Sequence, residues 1–367
     1  MILVTGGAGF IGSFVVDLLA GAGHEVRVVD LLHPAAHDSA PEYLHPDVDY
    51  RWGDLADPTI VAEAVRGVDA VCHQAAMVGL GADFADVAAY VRHNDVATAA
   101  LLGALHDHAF RGRLVLASSM VVYGEGAYRC REHGAVRPAP RRDTDLERGQ
   151  FEPRCSTCDS VVEPVRVEED ARLEPRSVYA ATKLHQEHLA ACFGREHDAS
   201  VIALRYHNVY GPRMPADTPY SGVAAIFRTA LEQGRSPVVF EDGDQQRDFV
   251  HVRDVARANV LALHADGDSD VTGAYNVASG EVHTVLDLAR ALADNAPASP
   301  APQVSGMWRP ADVRHVLASP ARAAERLGFR ATIPFTEGIA EFSTAPLRSP
   351  ARRAPRHHGH PGVGAAP

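Results

Sequence analysis

The chain has 367 residues, a hydrophobic share of 46% and a formal net charge of −12 at pH 7. This length predicts one large or two smaller domains, and this apolar share is sufficient for a packed core. The acidic balance, with no long Lys/Arg run before the C-terminal tail, argues against nucleic acid as a partner. No apolar run reaches membrane-spanning length, and residues 1–5 read as a core strand rather than a signal peptide. We therefore expect a cytoplasmic protein with no membrane partner.

The first predicted elements are a strand at residues 2–5, a glycine-rich turn and a helix with apolar residues on helical spacing. Gly6, Gly9 and Gly12 allow the backbone to approach a pyrophosphate and the helix to pack closely on the strand. The helix N-terminus, at Phe10 and Ile11, directs unpaired N–H groups toward the phosphates. These residues are therefore predicted to bind a dinucleotide; the alternative is a glycine turn that holds no ligand.

Asp30 closes the second predicted strand, at residues 25–30. An acid about 20 residues after the glycines accepts hydrogen bonds from the adenosine ribose and repels a 2′-phosphate. The next three residues, Leu31, Leu32 and His33, include no arginine. The pattern favours NAD over NADP, and the alternative is a strand-end acid that faces solvent.

Further strand–helix units follow, with apolar strands at residues 68–73 and 114–119. This alternation predicts an α/β fold with a Rossmann-type doubly wound parallel sheet, whose ligands lie beyond the carboxyl ends of the strands. Ser119 lies at such a strand end, although a serine there is often only a turn residue. Asn94, in a helical stretch, is predicted either to bond backbone groups near the site or to lie on the surface.

Tyr179 and Lys183 stand four residues apart in a predicted helix at residues 178–192, on one helix face. A lysine beside a tyrosine favours the phenolate, so the phenol can act as a base near neutral pH. The pattern alone is weak, because an exposed Tyr/Lys pair on a solvated helix is common.

At this point the chain resembles an extended short-chain dehydrogenase/reductase of the nucleotide-sugar epimerase/dehydratase group, over about residues 1 to 340. The resemblance rests on motifs in the family's order: Thr5-Gly6-Gly7-Ala8-Gly9-Phe10-Ile11-Gly12, Ser118-Ser119-Met120-Val121-Val122-Tyr123-Gly124, Tyr179-x-x-x-Lys183, Arg205-Tyr206-His207-Asn208-Val209-Tyr210-Gly211-Pro212, Arg247-Asp248-Phe249-Val250-His251-Val252 and Arg309-Pro310-Ala311-Asp312.

The resemblance implies roles for individual residues. It implies a catalytic trio of Ser119, Tyr179 and Lys183, in which Tyr179 takes a sugar hydroxyl proton and Ser119 hydrogen-bonds the reacting oxygen. It implies cofactor contacts at Asp30, Asp54, Leu55, Ala75, Tyr179 and Lys183. It implies substrate contacts at Ser119, Asn208, Arg247, Arg309 and Asp312, the arginines binding phosphate through the guanidinium fork. Surface ion pairs are the alternative for the last three of these residues.

Met120 and Val121 indicate which reaction follows hydride transfer. The family's 4,6-dehydratases place Asp-Glu at these positions, its decarboxylases a Glu at the second and its 3,5-epimerases a Cys there with a partner lysine. Neither side chain present can move a proton, and residues 217–225 contain no lysine. We therefore predict an NAD-dependent nucleotide-sugar 4-epimerase. The alternatives are a 4-ketosugar reductase, an epimerase at another carbon, and a non-catalytic sugar-nucleotide binding protein.

An insertion at about residues 126–167 separates Ser119 from Tyr179, and is polar and loop-rich. It contains Cys130-x-x-His133 and Cys155-x-x-Cys158, two knuckles with the spacing of a four-ligand structural zinc site. The alternatives are incidental thiols or a redox pair. The insertion also resembles that of epimerases acting on dTDP-6-deoxysugars, which implies a substrate of the dTDP-L-rhamnose type. The two other cysteines, Cys72 and Cys192, are predicted to be core residues.

The domain boundaries follow from these assignments. We expect an NAD-binding domain at residues 1–205 and 236–264, a smaller C-terminal α/β substrate-binding domain at 206–235 and 265–345, and a zinc-ribbon-like insertion at 126–167. A Pro-, Arg- and Gly-rich tail at 346–367 is predicted to be disordered. The resemblance implies a homodimer, formed by the helix after Asn94 and the helix that carries Tyr179.

Overall fold

The computed structural model describes residues 1–34, 36–37, 39–79, 84–216, 222–266, 271–296, 300–309 and 312–348. Its strands are β1 Ile2–Thr5, β2 Val26–Asp30, β3 Asp49–Trp52, β4 Ala70–His73, β5 Arg113–Ser119, β6 Ala127–Cys130, β7 Gly134–Val136, β8 Glu163–Val167, β9 Ser200–Tyr206, β10 Asn208–Tyr210, β11 Val238–Val239, β12 Gln246–Arg247, β13 Phe249–His251, β14 Gly273–Val277, β15 His283–Thr284, β16 Gln303–Val304 and β17 Leu317–Ala318.

The α-helices are α1 Phe10–Gly21, α2 Pro58–Ala64, α3 Val87–Tyr90, α4 Ala97–Asp107, α5 Asp143–Leu146, α6 Val178–His197, α7 Val223–Glu232, α8 Val252–His264, α9 Val285–Asp294, α10 Ala321–Arg326 and α11 Phe335–Thr344. Short 3-10 helices lie at Phe84–Asp86 and Met120–Tyr123, and a π-helix joins α3 to α4 at Val91–Val96.

The large sheet has seven parallel strands in the order β3-β2-β1-β4-β5-β9-β14. This is the doubly wound order, extended by one strand beyond β9. Its central strands are apolar and buried on both faces, because helices cover both sides. Helices α1 and α8 pack on one face, and α2, α4 and α6 pack on the other.

A smaller part follows the large sheet. Helices α7, α9 and α11 pack around a separate apolar core that includes Phe227, Phe249, Leu288 and Ile339. Two-stranded pairs β10–β13, β11–β16 and β12–β15 connect this core to the carboxyl edge of the large sheet. Segments 207–210, 246–247 and 312–315 therefore lie where the smaller part meets the large sheet.

The insertion contains more regular structure than its polar composition predicts. Strands β7, β6 and β8 form an antiparallel ladder, and β17, from near the C-terminus, pairs in parallel with β8. A small core of Tyr128, Cys130, Cys155 and Val162 lies beneath this sheet. Turns and loops still make up most of residues 126–167, as predicted, while backbone pairing with distant residues supplies order that the local sequence does not encode.

Two predicted boundaries differ from the structure. Residues from 236 were assigned to the NAD-binding domain, but Val239 and Phe249 lie in the core of the smaller part. Residues from 265 were assigned to the substrate-binding domain, but β14 pairs with β9 in the large sheet and buries Tyr275 and Val277 in its core. Most of the predicted tail, residues 349–367, lies outside the described residues. No helix in the described ranges is both long enough and apolar enough to cross a membrane.

Candidate active site

The glycine turn between β1 and α1 has the shape of a phosphate cradle. Gly6 has φ +68°, and a Cβ added there would lie 2.7 Å from the Ala75 amide nitrogen. A Cβ on Gly12 would lie 2.2 Å from the Gly6 carbonyl oxygen, while the Gly9 amide donates to that oxygen at 3.1 Å. Since α1 starts at Phe10, the amides of its first turn face the open side of the cradle.

Gly7 was not among the predicted site residues, yet it sets how closely α1 approaches the sheet. A Cβ at Gly7 would lie 2.7 Å from a methyl group of Val28 on β2. The consecutive glycines of Thr5-Gly6-Gly7 in the motif were the sequence signal that could have identified Gly7.

Asp30 ends β2 beside the cradle. Its carboxylate accepts hydrogen bonds from the Ala8 amide at 3.0 Å and the Leu32 amide at 2.8 Å. Burial raises the pKa of this carboxyl, while those two amides lower it. A carboxylate offers about four lone-pair sites, so acceptor capacity remains for ribose hydroxyls. The cradle and this acid fit a dinucleotide with a free 2′-hydroxyl.

The other predicted adenosine contacts lie on the neighbouring strand ends. Asp54 accepts from the Ala56 amide at 2.9 Å and pairs with Arg92 at 2.6 Å, and Leu55 is buried. Ala75 follows β4, and its amide donates to Thr5 at 3.2 Å.

Tyr43 and Arg348 also reach this region and were not predicted. The Tyr43 hydroxyl donates to the Ala8 carbonyl at 2.9 Å, and Arg348 donates to Tyr43 at 3.0 Å. Neither residue belongs to a motif, so no local signal identified them.

Ser119, Tyr179 and Lys183 converge at the carboxyl end of β5. Ser119 ends this strand opposite Tyr206 of β9; its hydroxyl accepts from the Val121 amide at 3.4 Å and lies near Tyr179, whose pKa it lowers. The Ser177 hydroxyl caps the start of α6 by accepting from the Ala180 amide at 3.1 Å, so α6 begins at Val178, one residue before Tyr179. The structure brings the predicted trio together.

The acid–base balance of the trio differs from the prediction in one respect. Burial raises the pKa of Tyr179 to about 12, and the Ser119 hydrogen bond lowers it in part. Lys183 donates to the Ala117 carbonyl at 2.8 Å, and burial lowers its pKa to about 7. A direct lowering of the tyrosine pKa by the lysine is therefore not the leading effect, because desolvation of the phenolate outweighs it.

Asn94 is fully buried and bonds backbone groups, the first of the two alternatives predicted for it; it does not lie on the surface. Its side chain accepts from the Met77 amide at 2.8 Å and donates to the Met77 carbonyl at 3.0 Å. It also donates to Thr182 of α6 at 2.9 Å. Asn94 lies within the π-helix, a feature that often marks functional sites. It joins the loop after β4 to the catalytic helix.

A buried polar chain, which sequence reasoning missed, links the cradle strand to α6. The His73 ring lies 2.7 Å from the Thr5 hydroxyl and 2.9 Å from the Thr98 hydroxyl. Gln186 of α6 donates to the same Thr98 hydroxyl at 2.6 Å. Burial lowers the pKa of His73 to about 3, so the ring is neutral and its two nitrogens serve as one donor and one acceptor.

Asn208 and His207 lie just beyond the carboxyl end of β9. The Asn208 side-chain oxygen and both His207 ring nitrogens have no geometrically sound hydrogen bond among the described residues. His207 is 3% exposed and lies beside Asn276, and burial lowers its pKa to about 3. Unpaired buried polar atoms are costly, so the Asn208 oxygen fits a ligand hydroxyl or N–H that donates to it, and the neutral His207 ring fits a ligand with one acceptor and one donor. His207 was part of a motif but was not among the predicted contacts.

The predicted phosphate arginines occupy different surroundings. Arg247 donates to the carbonyls of Gln246, Val313 and Arg314 at 2.7–2.8 Å. Arg309 is exposed and stacks over the Phe240 ring at 4.7 Å. Asp312 is partly buried, which raises the pKa of its carboxyl. Arg247 thus orders the segment that carries Arg309 and Asp312, in addition to any contact with a ligand.

Cys130, His133, Cys155 and Cys158 form a cluster whose ligand atoms all lie within 4.8 Å of one another. The Cys130 sulfur lies 3.7 Å from the Cys158 sulfur, and the His133 Nδ1 lies 3.6 Å from the sulfurs of Cys130 and Cys155. Of the two remaining cysteines, Cys72 is buried as predicted. Cys192 is exposed, so its assignment to the core was wrong; it lies on the solvent face of α6.

Comparison with known proteins places this site in a family. The model of the NAD dependent epimerase/dehydratase family matches residues 2–278. The chain is 33% identical to dTDP-L-rhamnose 4-epimerase of Burkholderia thailandensis over 94% of each chain, and 30% identical to a dTDP-glucose 4,6-dehydratase of an Actinoplanes species over 93% of this chain and 95% of that one. The crystal structure of Thermus thermophilus UDP-glucose 4-epimerase in complex with NAD is 31% identical, with a TM-score of 0.74 over 93% of this chain and 97% of that one.

The chain therefore belongs to the NAD dependent epimerase/dehydratase family. Its Rossmann-type fold, predicted from the order of strands and helices, is confirmed. It is an enzyme of the nucleotide-sugar epimerase group, as its motifs indicated.

Proposed function

We propose that this protein interconverts two nucleotide-diphosphate sugars that differ in configuration at C4, through a transient 4-keto sugar. The observation that carries this proposal is a complete Ser119–Tyr179–Lys183 trio followed by Met120 and Val121, which have no proton to exchange. Elimination of water or removal of a C5 proton requires an acid or base at those positions. Return of the hydride to the opposite face of the ketone does not.

Each residue of the proposed active site has a separate role. Tyr179 takes the C4 hydroxyl proton, and Ser119 hydrogen-bonds both the phenol and the reacting oxygen. Lys183, which lies on the same helix as Tyr179 and is held by the Ala117 carbonyl, would hydrogen-bond the nicotinamide ribose and, when protonated, favour the phenolate. Bound NAD supplies the hydride acceptor. The cradle at Gly6, Gly9, Phe10, Ile11 and Gly12, with Asp30, Asp54, Leu55 and Ala75, holds it.

The substrate side is assigned to Asn208, Arg247, Arg309 and Asp312, joined by His207. The buried unpaired atoms of Asn208 and His207 support this assignment, because a sugar nucleotide would provide their missing hydrogen bonds. A dTDP-6-deoxysugar of the L-rhamnose type is the proposed substrate. The support is the alignment along nearly the whole chain with a dTDP-L-rhamnose 4-epimerase.

We infer that the insertion holds one structural zinc ion at Cys130, His133, Cys155 and Cys158. A tetrahedral zinc with bonds of about 2.3 Å to sulfur and 2.0–2.1 Å to nitrogen requires edges of about 3.8 Å between sulfurs and about 3.6 Å between sulfur and nitrogen. Three of the six separations are 3.7, 3.6 and 3.6 Å, and all six lie within 4.8 Å. Four protein ligands leave no open position, so the ion would stabilise the insertion and take no part in the chemistry.

The test of the main proposal is to incubate the purified enzyme with dTDP-L-rhamnose and with UDP-glucose and to identify products by NMR. We expect a 4-epimer from at least one of them, with no net change in NADH absorbance, and a loss of about 10²–10⁴-fold in rate for Tyr179→Phe. Stoichiometric consumption of added NAD(P)H by a 4-keto sugar would instead indicate a reductase.

A dehydratase is the second candidate, because a dTDP-glucose 4,6-dehydratase is 30% identical over 93% of this chain. Formation of a 4-keto-6-deoxysugar from dTDP-glucose would establish it and overturn the epimerase proposal. Binding of sugar nucleotide with no turnover of any of these substrates would indicate a non-catalytic role.

A further inference from the structure

The insertion touches the predicted nucleotide-binding segment through two arginine side chains. Arg141, from the insertion, donates to the Asp312 carbonyl at 2.8 Å and pairs with Glu241 at 2.8 Å. Its other terminal nitrogen donates to the Phe151 carbonyl at 3.1 Å, within the insertion. Arg141 is only 6% exposed in its side chain. One guanidinium therefore joins the insertion, the substrate part and the backbone of Asp312.

Arg314 provides the second connection. Its side chain is fully buried and is surrounded by Glu152 at 2.6 Å, Glu241 at 2.8 Å and Asp242 at 2.7 Å. Glu152 belongs to the insertion, and its other oxygen lies 2.9 Å from the His315 ring. Charges buried in this way are tolerated only when they are paired, so the surrounding groups fix the position of Arg314 closely.

The backbone of residues 312–314 is held on both sides. The carbonyl of Asp312 accepts from Arg141, and the carbonyls of Val313 and Arg314 accept from Arg247 at 2.8 and 2.7 Å. Charge-assisted hydrogen bonds with planar guanidinium groups are directional, so three consecutive peptide groups have little freedom to rotate. The direction of the Asp312 side chain follows from this backbone.

The metal-ligand cluster lies close to the same contacts. Glu152 precedes Cys155 by three residues, and Tyr128 precedes Cys130 by two on β6. The Tyr128 hydroxyl accepts from the His315 amide at 3.1 Å and donates to Glu125 at 2.7 Å. The segments that carry candidate ligands, β6 with Cys130 and the loop with Cys155, thus also carry groups that hold residues 314–315.

We propose that the insertion completes the nucleotide-binding site, with Arg141 and Glu152 as positioning residues that orient Asp312 toward the nucleoside of the substrate. This rests on the proposed function, which makes residues 309–312 the nucleotide contacts. The insertion acts at a distance from the reacting carbon, so it governs how tightly the nucleoside diphosphate binds and leaves hydride transfer to the trio.

The experiment measures dissociation constants of dTDP and UDP by calorimetry for the full-length protein, Arg141→Ala, Arg141→Lys and Arg142→Ala. Arg142 is the matched control, because its side chain is 60% exposed and its ion pairs, with Asp145 and Asp159, stay within the insertion. We expect Arg141→Ala to weaken nucleoside-diphosphate binding about tenfold or more, which is the size expected for loss of charge-assisted hydrogen bonds. Lysine should restore part of the loss, since it keeps the pairing with Glu241, and Arg142→Ala should bind as the unmodified protein does.

Kinetics separate positioning from general damage. KM for the sugar nucleotide should rise with the dissociation constant, while kcat and bound NAD change little. A general folding defect would lower kcat and bound NAD as well. If Arg141→Ala does not fold, the same binding measurement on Glu152→Gln tests the proposal. This variant keeps the shape and hydrogen bonding of the side chain while removing a charge beside Arg314. Unchanged affinity in the folded variants would overturn the role of Arg141 and Glu152. An unmodified protein that binds NAD but no nucleoside diphosphate would overturn the proposed function itself.

Discussion

Burial raises the pKa of Tyr179, and Ser119 lowers it in part, so the proposed base depends on its serine neighbour. Tyr179 is active when deprotonated, so activity rises as pH rises through its pKa in the complex. Removing a group that lowers this pKa moves that rise to higher pH.

We therefore expect Ser119→Ala to shift the acidic limb of the kcat–pH profile upward and to lower kcat at pH 7. Ser119→Thr keeps a hydroxyl and should restore the limb to near its original position. The measurement is kcat across pH 6–10 with saturating sugar nucleotide. A profile that falls in height but does not move along the pH axis would show that Ser119 orients substrate without tuning Tyr179.

The sequence predicted the residues that carry the chemistry better than their surroundings. Tyr179, Lys183 and Ser119 lie in short motifs, and their elements fix where they meet. The Thr5–His73–Thr98–Gln186 chain could not be predicted, because each link joins residues from different elements. Arg247 illustrates the same limit: its motif was visible, but its bonds to the carbonyls of Val313 and Arg314 depend on tertiary packing.

At the scale of elements, the insertion shows what spacing can and cannot predict. The two knuckles identified four residues that the structure brings within 4.8 Å, because each knuckle is local. The pairing of β8 with β17 was not foreseeable, since β17 has only two residues and no distinctive pattern. The type of the seven-stranded sheet, parallel and doubly wound, was predictable because alternation of strands and helices permits few topologies.

Replacement of Cys155 by serine should abolish metal binding and loosen the insertion. Elemental analysis should give about one zinc per chain for the unmodified protein and close to none for Cys155→Ser. Hydrogen exchange should speed up in β6, β7 and β8 but not in β1 or β4, because the large sheet has its own core. Cys192→Ser is the control, since Cys192 is exposed and distant in sequence from the knuckles. Full retention of order by a metal-free preparation would contradict the zinc proposal.

At the scale of the molecule, the proposed homodimer would use the outer face formed by α4 and α6. This face exposes small and apolar residues: Val96 at the end of the π-helix before α4, Ala99 and Gly103 on α4, and Ala181 on α6. A Cβ on Gly103 would meet no atom within 4 Å in the single chain, so the surface has room for a closely packed helix.

Ala99→Arg should convert a dimer to a monomer, because a long charged side chain would lie between the paired helices. Light scattering coupled to size exclusion gives the mass directly. Ala321→Arg, on the exposed start of α10, is the matched control and should leave the mass unchanged. A dimer that persists in Ala99→Arg would place the interface elsewhere.

The parallel pairing of β8 with β17 has a consequence for the order of events during synthesis. Arg166 of β8 emerges from the ribosome long before its partner Leu317, so this edge of the insertion stays open while the second half of the chain is made. An open edge is a site where another chain can add. All four candidate metal ligands have been synthesised once Cys158 is added. A bound ion would then fold the nascent insertion early and limit misassembly until β17 has been made. Zinc supply during expression would then govern the yield of native protein more than the stability of protein that has already folded.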